Sequence, residues 1–171
     1  MIKIIGAICI IIATSWIGFE ASKTLTERTR QIRILKSALQ SLEAEIMYGH
    51  TPLHEASRRI AKQVGSPVKD LFECFAMNLI KGDTTASNAW VEALEHIWKR
   101  TAFKTTELEI LKQFGETLGK HDLVQQQKQI RLALTHLERE EEEARDKQTS
   151  YGKMFRNLGI LTGLFIIILL M

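Results

Sequence analysis

The 171 residues carry 23 lysines and arginines against 20 aspartates and glutamates, a formal net charge of +3. That excludes the strong basic excess by which a nucleic-acid-binding chain is recognised. Two cysteines and two prolines exclude a disulfide framework and a proline-rich linker, and the length admits one domain of roughly 120 residues once two uncharged ends are set aside.

The first element is the uncharged run IIGAICIIIATSWIGF, Ile4 to Phe19. As a helix it reaches roughly 24 Å, slightly short of a ~30 Å hydrocarbon core, and Lys3 can snorkel to close part of the gap. A lysine before an apolar run has the form of a secretory signal. Neither Ala13-Thr14-Ser15 nor Glu20-Ala21-Ser22 makes a good small-x-small cleavage site, so residues 1–19 are predicted to remain as a transmembrane anchor. A soluble core helix would show a polar face, and this run shows none.

Beyond the anchor, Ile32, Leu35, Leu39, Leu42 and Ile46 recur at alternating steps of three and four, the narrow seam of a coiled coil. The spacing predicts one helix from the membrane to Tyr48, ended by Gly49. Thr51-Pro52 supplies an N-cap and first helical residue for a second helix on Leu53, Ala56, Ile60 and Val64. Gly65-Ser66-Pro67 repeats that stop and start. A third helix carries Val68, Leu71, Phe72, Phe75 and Leu79 and closes at Gly82-Asp83; a fourth presents Trp90, Leu94, Ile97 and Trp98. Thr105 or Thr106 caps a fifth, with Leu108, Leu111, Phe114 and Leu118, ending at Gly119. Cys74 lies among apolar neighbours and Cys9 within the first run, so both are expected to be reduced thiols.

Asp122 can cap the last helix, where Ile130, Leu134 and Leu137 keep a helical stripe and neither glycine nor proline intervenes before Gly152. It is predicted to continue into a second span, residues 154–171, whose run LGILTGLFIIILLM is uncharged and contains Gly159 and Gly163 in a GxxxG packing element. No segment alternates with period two, so strands are not expected. The predicted fold is all-α: a membrane-anchored six-helix bundle, residues 20–153, whose long first and last helices run antiparallel.

Charge sets orientation and register. Lys23, Arg28, Arg30, Arg33 and Lys36 follow the first span, and Arg145, Lys147, Lys153 and Arg156 precede the second, so the bundle is expected on the cytoplasmic side with both termini across the membrane. The stretch Lys23 to Lys36 is net +4 and Glu138 to Glu143 net −4. If both spans enter at equal depth, Arg33 lies opposite Glu143 and Lys36 opposite Glu140. Exposed pairs contribute only ~0.2–1 kcal/mol each, so the complementarity reads as a register device. An acidic, solvated helix face is the competing reading.

No constellation of reactive residues stands out. His50, His54 and Glu55 cluster in GHTPLHEA, but His50 precedes Pro52 in a turn, so the two imidazoles are not fixed one turn apart on one helix. His96, His121 and His136 stand in separate segments. Neither a phosphate-binding glycine loop nor a nucleophile motif occurs, and the expectation is a non-enzymatic chain without cofactor or metal.

The segments SLEAEIMYGHTPLHEA (Ser41 to Ala56), LEREEEEARDKQ (Leu137 to Gln148) and the terminal MFRNLGILTGLFIIILLM resemble the stage III sporulation protein AB family of endospore-forming bacteria, a likeness covering essentially the whole chain. The most specific part runs from Glu43 to Glu55. The resemblance implies a platform or scaffold subunit of a secretion-like complex between mother cell and forespore, similar to the F-type inner-membrane platform of type II secretion and type IV pilus systems. It implies a mother-cell location at the outer forespore membrane. The partners it implies are a cytoplasmic secretion-type ATPase and other membrane subunits, and it leaves self-association open. It also makes the turn Tyr48, Gly49, His50, Thr51, Pro52, His54 and Glu55 a candidate interface. A small membrane-bound adaptor or sensor outside any secretion machine is the alternative.

Overall fold

The computed structural model describes the backbone of residues 2–49, 51–119 and 123–170, and the side chains of 23–49, 51–119, 123–151 and Met154. Six α-helices and no strand occur among the described residues: α1 (Ile2–Met47), α2 (Leu53–Gln63), α3 (Val68–Lys81), α4 (Ala86–Ile97), α5 (Thr105–Thr117) and α6 (Leu123–Leu170). One 3-10 turn, Trp98–Arg100, follows α4. Among the described residues no helix is long and apolar enough to cross a membrane. The side chains of the two apolar runs, with Cys9, Gly159 and Gly163, lie outside them.

The helices α1 and α6 pair through matching seams. Ile32, Leu35, Leu39 and Leu42 of α1 are fully buried, as are Ile130 and Leu137 of α6, with Ala133 and Ala144 continuing the α6 row. Steps of three and four keep each row on one side of its helix, so the two rows close on each other and on the remaining helices. The pair is antiparallel. Arg131 Nε donates to Glu43 Oε1 at 2.9 Å at one end, and Gln148 Nε2 to Thr26 Oγ1 at 3.2 Å at the other.

Against this pair stand α2 to α5, centred on Trp90. Its ring is fully buried and meets Phe72, Phe75 and Phe114 edge-on, with centroids 5.7, 5.0 and 5.4 Å away. Edge-to-face contacts set the electropositive rim of one ring on the face of another. The indole N–H, which would be costly to bury alone, donates to Leu111 O at 2.8 Å. Gly115 allows this approach: a β-carbon there would lie 2.3 Å from Trp90 Cδ1.

Three predicted caps differ in detail. Pro52, not Thr51, holds the N-cap position of α2, because the Thr51 hydroxyl donates instead to the Glu45 carboxylate at 2.7 Å, a charge-assisted bond at the end of α1. Lys104, not Thr105 or Thr106, precedes α5, and its backbone N–H donates to Glu107 at 2.7 Å. The fifth helix stops at Thr117, with Gly119 at φ +73° just beyond. Asp122 lies outside the described residues. Gly82 takes the left-handed conformation, φ +75°, that ends α3 where the sequence placed its stop.

Candidate functional site

The charged face between α1 and α6 is real but its register differs from the predicted one. Arg33 Nε meets Glu141 at 3.0 Å, and Lys36 Nζ meets both Glu138 and Glu141 at 3.2 Å. Neither Glu143 nor Glu140 takes part. A two-residue difference turns a helix by about 200°, which moves a side chain to the other side. Glu138 and Glu141 lie one turn apart on the flank of the seam, whereas Glu140 falls in the seam between Leu137 and Ala144, and Glu143 pairs with Lys147 on its own helix. Equal depth of the two apolar runs was the assumption that set the predicted offset.

The contacts leave their mark on ionisation. Burial works against the charged form of Lys36, yet the carboxylates of Glu141 and Glu138 outweigh it and raise its pKa. Burial pushes the Glu141 carboxyl up, but the hydrogen bonds and charges of Arg33 and Lys36 together outweigh it and leave it lowered.

Where the α6 seam reaches Glu140, the α1 seam reaches Arg28, and α5 supplies Glu107. Arg28 is 2% exposed and Glu107 fully buried. One guanidinium serves two carboxylates: Nε donates to Glu107 Oε1 at 2.8 Å and Nη2 to Glu140 Oε2 at 2.9 Å. Among the described residues its buried Nη1 has no hydrogen-bond partner. One turn along α1, the Gln31 side-chain oxygen accepts the Ala102 N–H at 2.8 Å, so the segment leading into α5 is fixed to α1 at two points. Burial, and then the charge of Arg28, lowers the pKa of Lys104 beside it.

Sequence reading did not single out this junction, although its signal is present. Extending the α1 row back four from Ile32 lands on Arg28, and extending the α6 row three on from Leu137 lands on Glu140. Glu107 carries no comparable signal, since it lies one position before Leu108 and reads as a first-turn acid on any helix.

The predicted turn interface lies at the other end of the pair. Tyr48 is 80% exposed, Gly49, Pro52, His54 and Glu55 are exposed and Thr51 is half-buried, with Glu55 paired to Arg59 on its own helix at 2.8 Å. His50 lies outside the described residues. The start of α6 adds two apolar residues the sequence reading passed over, Leu123 at 44% and Val124 at 72% exposure. The Glu43 contacts to Gln127 and Arg131 place them at the same end as Tyr48. Among the described residues no group of three His, Cys, Asp or Glu side chains is placed to hold a metal ion. Cys74 is a half-buried thiol whose pKa burial raises.

A long antiparallel helix pair, cross-linked by charge and carrying a four-helix wing, defines an all-α helical bundle. The chain belongs to the stage III sporulation protein AB family, whose model matches residues 3–171. It is 56% identical over 171 residues to stage III sporulation protein AB of Bacillus subtilis (strain 168), covering 100% of both chains. A solved structure of stage III sporulation protein AB, 57% identical, covers 72% of this chain and 98% of its own, with a TM-score of 0.70. A sporulation role follows from that membership.

Proposed function

We propose that the chain is a non-catalytic membrane platform subunit of a secretion-like complex between mother cell and forespore, coupling a cytoplasmic ATPase to membrane components. The observation that carries this reading is the α1–α6 pair. Two helices of 46 and 48 residues run unbroken from uncharged ends into a seam reinforced by the Arg33, Lys36, Glu138 and Glu141 contacts. From Phe19 to Met47 such a helix spans about 42 Å, which carries the Tyr48, Leu123 and Val124 end well clear of a bilayer surface. That end is where a soluble partner docks; the GxxxG spacing of Gly159 and Gly163 supports a packing role within the membrane.

Two measurements test the proposal. Single cysteines at the N-terminus, an exposed bundle position and the C-terminus, with Cys9 and Cys74 replaced, are treated in intact sporulating cells with a membrane-impermeant thiol reagent. Labelling of the termini alone supports the cytoplasmic bundle, and labelling of the bundle excludes an ATPase partner in the mother-cell cytoplasm. Co-purification then reads the partner: Tyr48→Asp with Val124→Asp should abolish ATPase capture without changing the amount of folded protein. Capture of a lone signalling protein, with neither ATPase nor sporulation membrane proteins, favours the adaptor alternative.

A further inference from the structure

The geometry points to a mechanical latch at Arg28, by which the start of α5 is held in place only while α6 keeps its position along α1. The inference concerns coupling within the chain and stands whether or not an ATPase is the partner.

A buried ion cluster is weak grounds for stability, because removing charges from water costs about what their attraction returns; its best-attested use is to fix one arrangement among several. Three features mark this cluster as such a device. The guanidinium bridges two different helices, with Nη2 2.5 Å from Glu107 Oε1 and 2.9 Å from Glu140 Oε2, so one group reads both positions at once. Its remaining nitrogen, Nη1, is buried and has no hydrogen-bond partner among the described residues, so the site is not a fully satisfied network whose every bond reinforces the rest. The Glu107 that it holds also closes the first turn of α5, because its other oxygen accepts the Lys104 N–H at 2.7 Å.

Displacing α6 along α1 by a fraction of a turn takes Glu140 out of reach of Nη2, since a hydrogen bond weakens steeply beyond its usual length. Nη2 is then left to Glu107 alone, and the guanidinium shifts toward that carboxylate, disturbing the geometry by which Glu107 serves Arg28 and the Lys104 N–H together. The start of α5 is loosened. Gln31, holding Ala102 from the same α1 face, is left to bear that junction. Since α1 and α6 are the helices that lead to the apolar ends, sliding them against each other is read by α5, and through Phe114 and Gly115 by Trp90 of α4.

Hydrogen exchange of the full chain in detergent micelles, followed peptide by peptide, tests the latch. Glu140→Ala, a substitution on α6, should speed exchange over residues 102–110 about tenfold relative to α2, whereas Glu138→Ala on the exposed flank should change it less than twofold. Coupling is reciprocal, so Glu107→Gln should speed exchange over 137–144. The triple variant Arg28→Met, Glu107→Gln, Glu140→Gln removes every charge while keeping an acceptor for the Lys104 N–H. It should melt as high as the parent, yet exchange fast at 102–110. Unchanged exchange at 102–110 in Glu140→Ala, a rise equal to that in α2, or a triple variant as protected as the parent would each overturn the proposal.

Discussion

The α1–α6 pair and the α2–α5 wing are made of the same element, yet they are joined by opposite means. Within the wing, one indole is ringed by three phenylalanines and donates its N–H to Leu111. Along the pair, apolar burial is confined to a narrow row, and Arg33, Lys36, Glu138, Glu141 and the Arg28 cluster flank or interrupt it. Apolar contact is non-directional and supplies most of the free energy of folding. Charge contacts supply little net energy but distinguish one sliding position from the next. The contrast teaches that the wing secures the bundle's stability while the pair specifies where two long helices stand relative to each other.

The comparison breaks most visibly at Trp90. Trp90→Ala opens a large cavity and removes the indole bond to the Leu111 carbonyl, for an expected loss of about 3–5 kcal/mol, a large share of a typical domain's stability. Gly115→Ala attacks the same contact from the other side and should cost about 1–3 kcal/mol by overpacking, because its new methyl would meet Trp90 Cδ1 at 2.3 Å. In the double variant the cost of Gly115→Ala should vanish, since the clash has gone and alanine favours helix. Denaturant melts of the four proteins measure it; additive losses would show that Gly115 is not there to admit the indole.

Much of this division can be read directly in the residue spacing. The rows at Ile32, Leu35, Leu39 and Leu42 and at Ile130 and Leu137 place the seam, and the stops at Gly49, Gly65 and Gly82 separate α1, α2, α3 and α4 within a residue or two. The ion pairs were legible as a class and not as partners, because a two-residue offset between antiparallel helices is set by packing along the whole pair and leaves no local trace. The junction was hidden for a different reason. Arg28 and Glu140 occupy seam positions but are charged, so a search for apolar periodicity steps over them, and only the tertiary fold brings Glu107 from α5 between them. Thr51 does not cap α2, since its hydroxyl donates to Glu45, and α5 is preceded by Lys104, whose N–H Glu107 accepts.

A smaller effect sharpens the other side of the comparison. Glu141→Gln weakens the contacts of Arg33 and Lys36 at a site only 16% exposed and should cost about 1–2 kcal/mol near neutral pH. The sign of its pH dependence follows from the lowered carboxyl of Glu141. Its stabilisation is fully present above the ordinary value of 4.5 and is lost as pH falls through the depressed folded value. Lys36 behaves oppositely: with its pKa raised, its contribution is present below 10.5 and lost as pH climbs through the folded value above that. The gap in melting temperature between parent and Glu141→Gln should therefore be constant between those limits and narrow on the acid side. A gap that persisted unchanged well below pH 4 would mean that the substituted amide disturbs packing instead of charge.

The smallest expected effect separates burial from ion pairing as the cause. Lys112 and Glu95 form a pair between α5 and α4 at 3.5 Å, with side chains 41% and 63% exposed. It joins two helices just as Lys36 and Glu141 do, but in water, where screening and the entropy of holding two long side chains offset most of the attraction. Lys112→Ala should change stability by less than about 0.5 kcal/mol, and the change should vanish in 1 M salt, where the screening length is about 3 Å. The Glu141 effect should survive that salt in large part, because Glu141 and its partner Lys36 are only 16% and 17% exposed. If both variants faded alike with salt, the α1–α6 contacts would be ordinary surface pairs, and the registering role assigned to them would fall to the apolar seam alone.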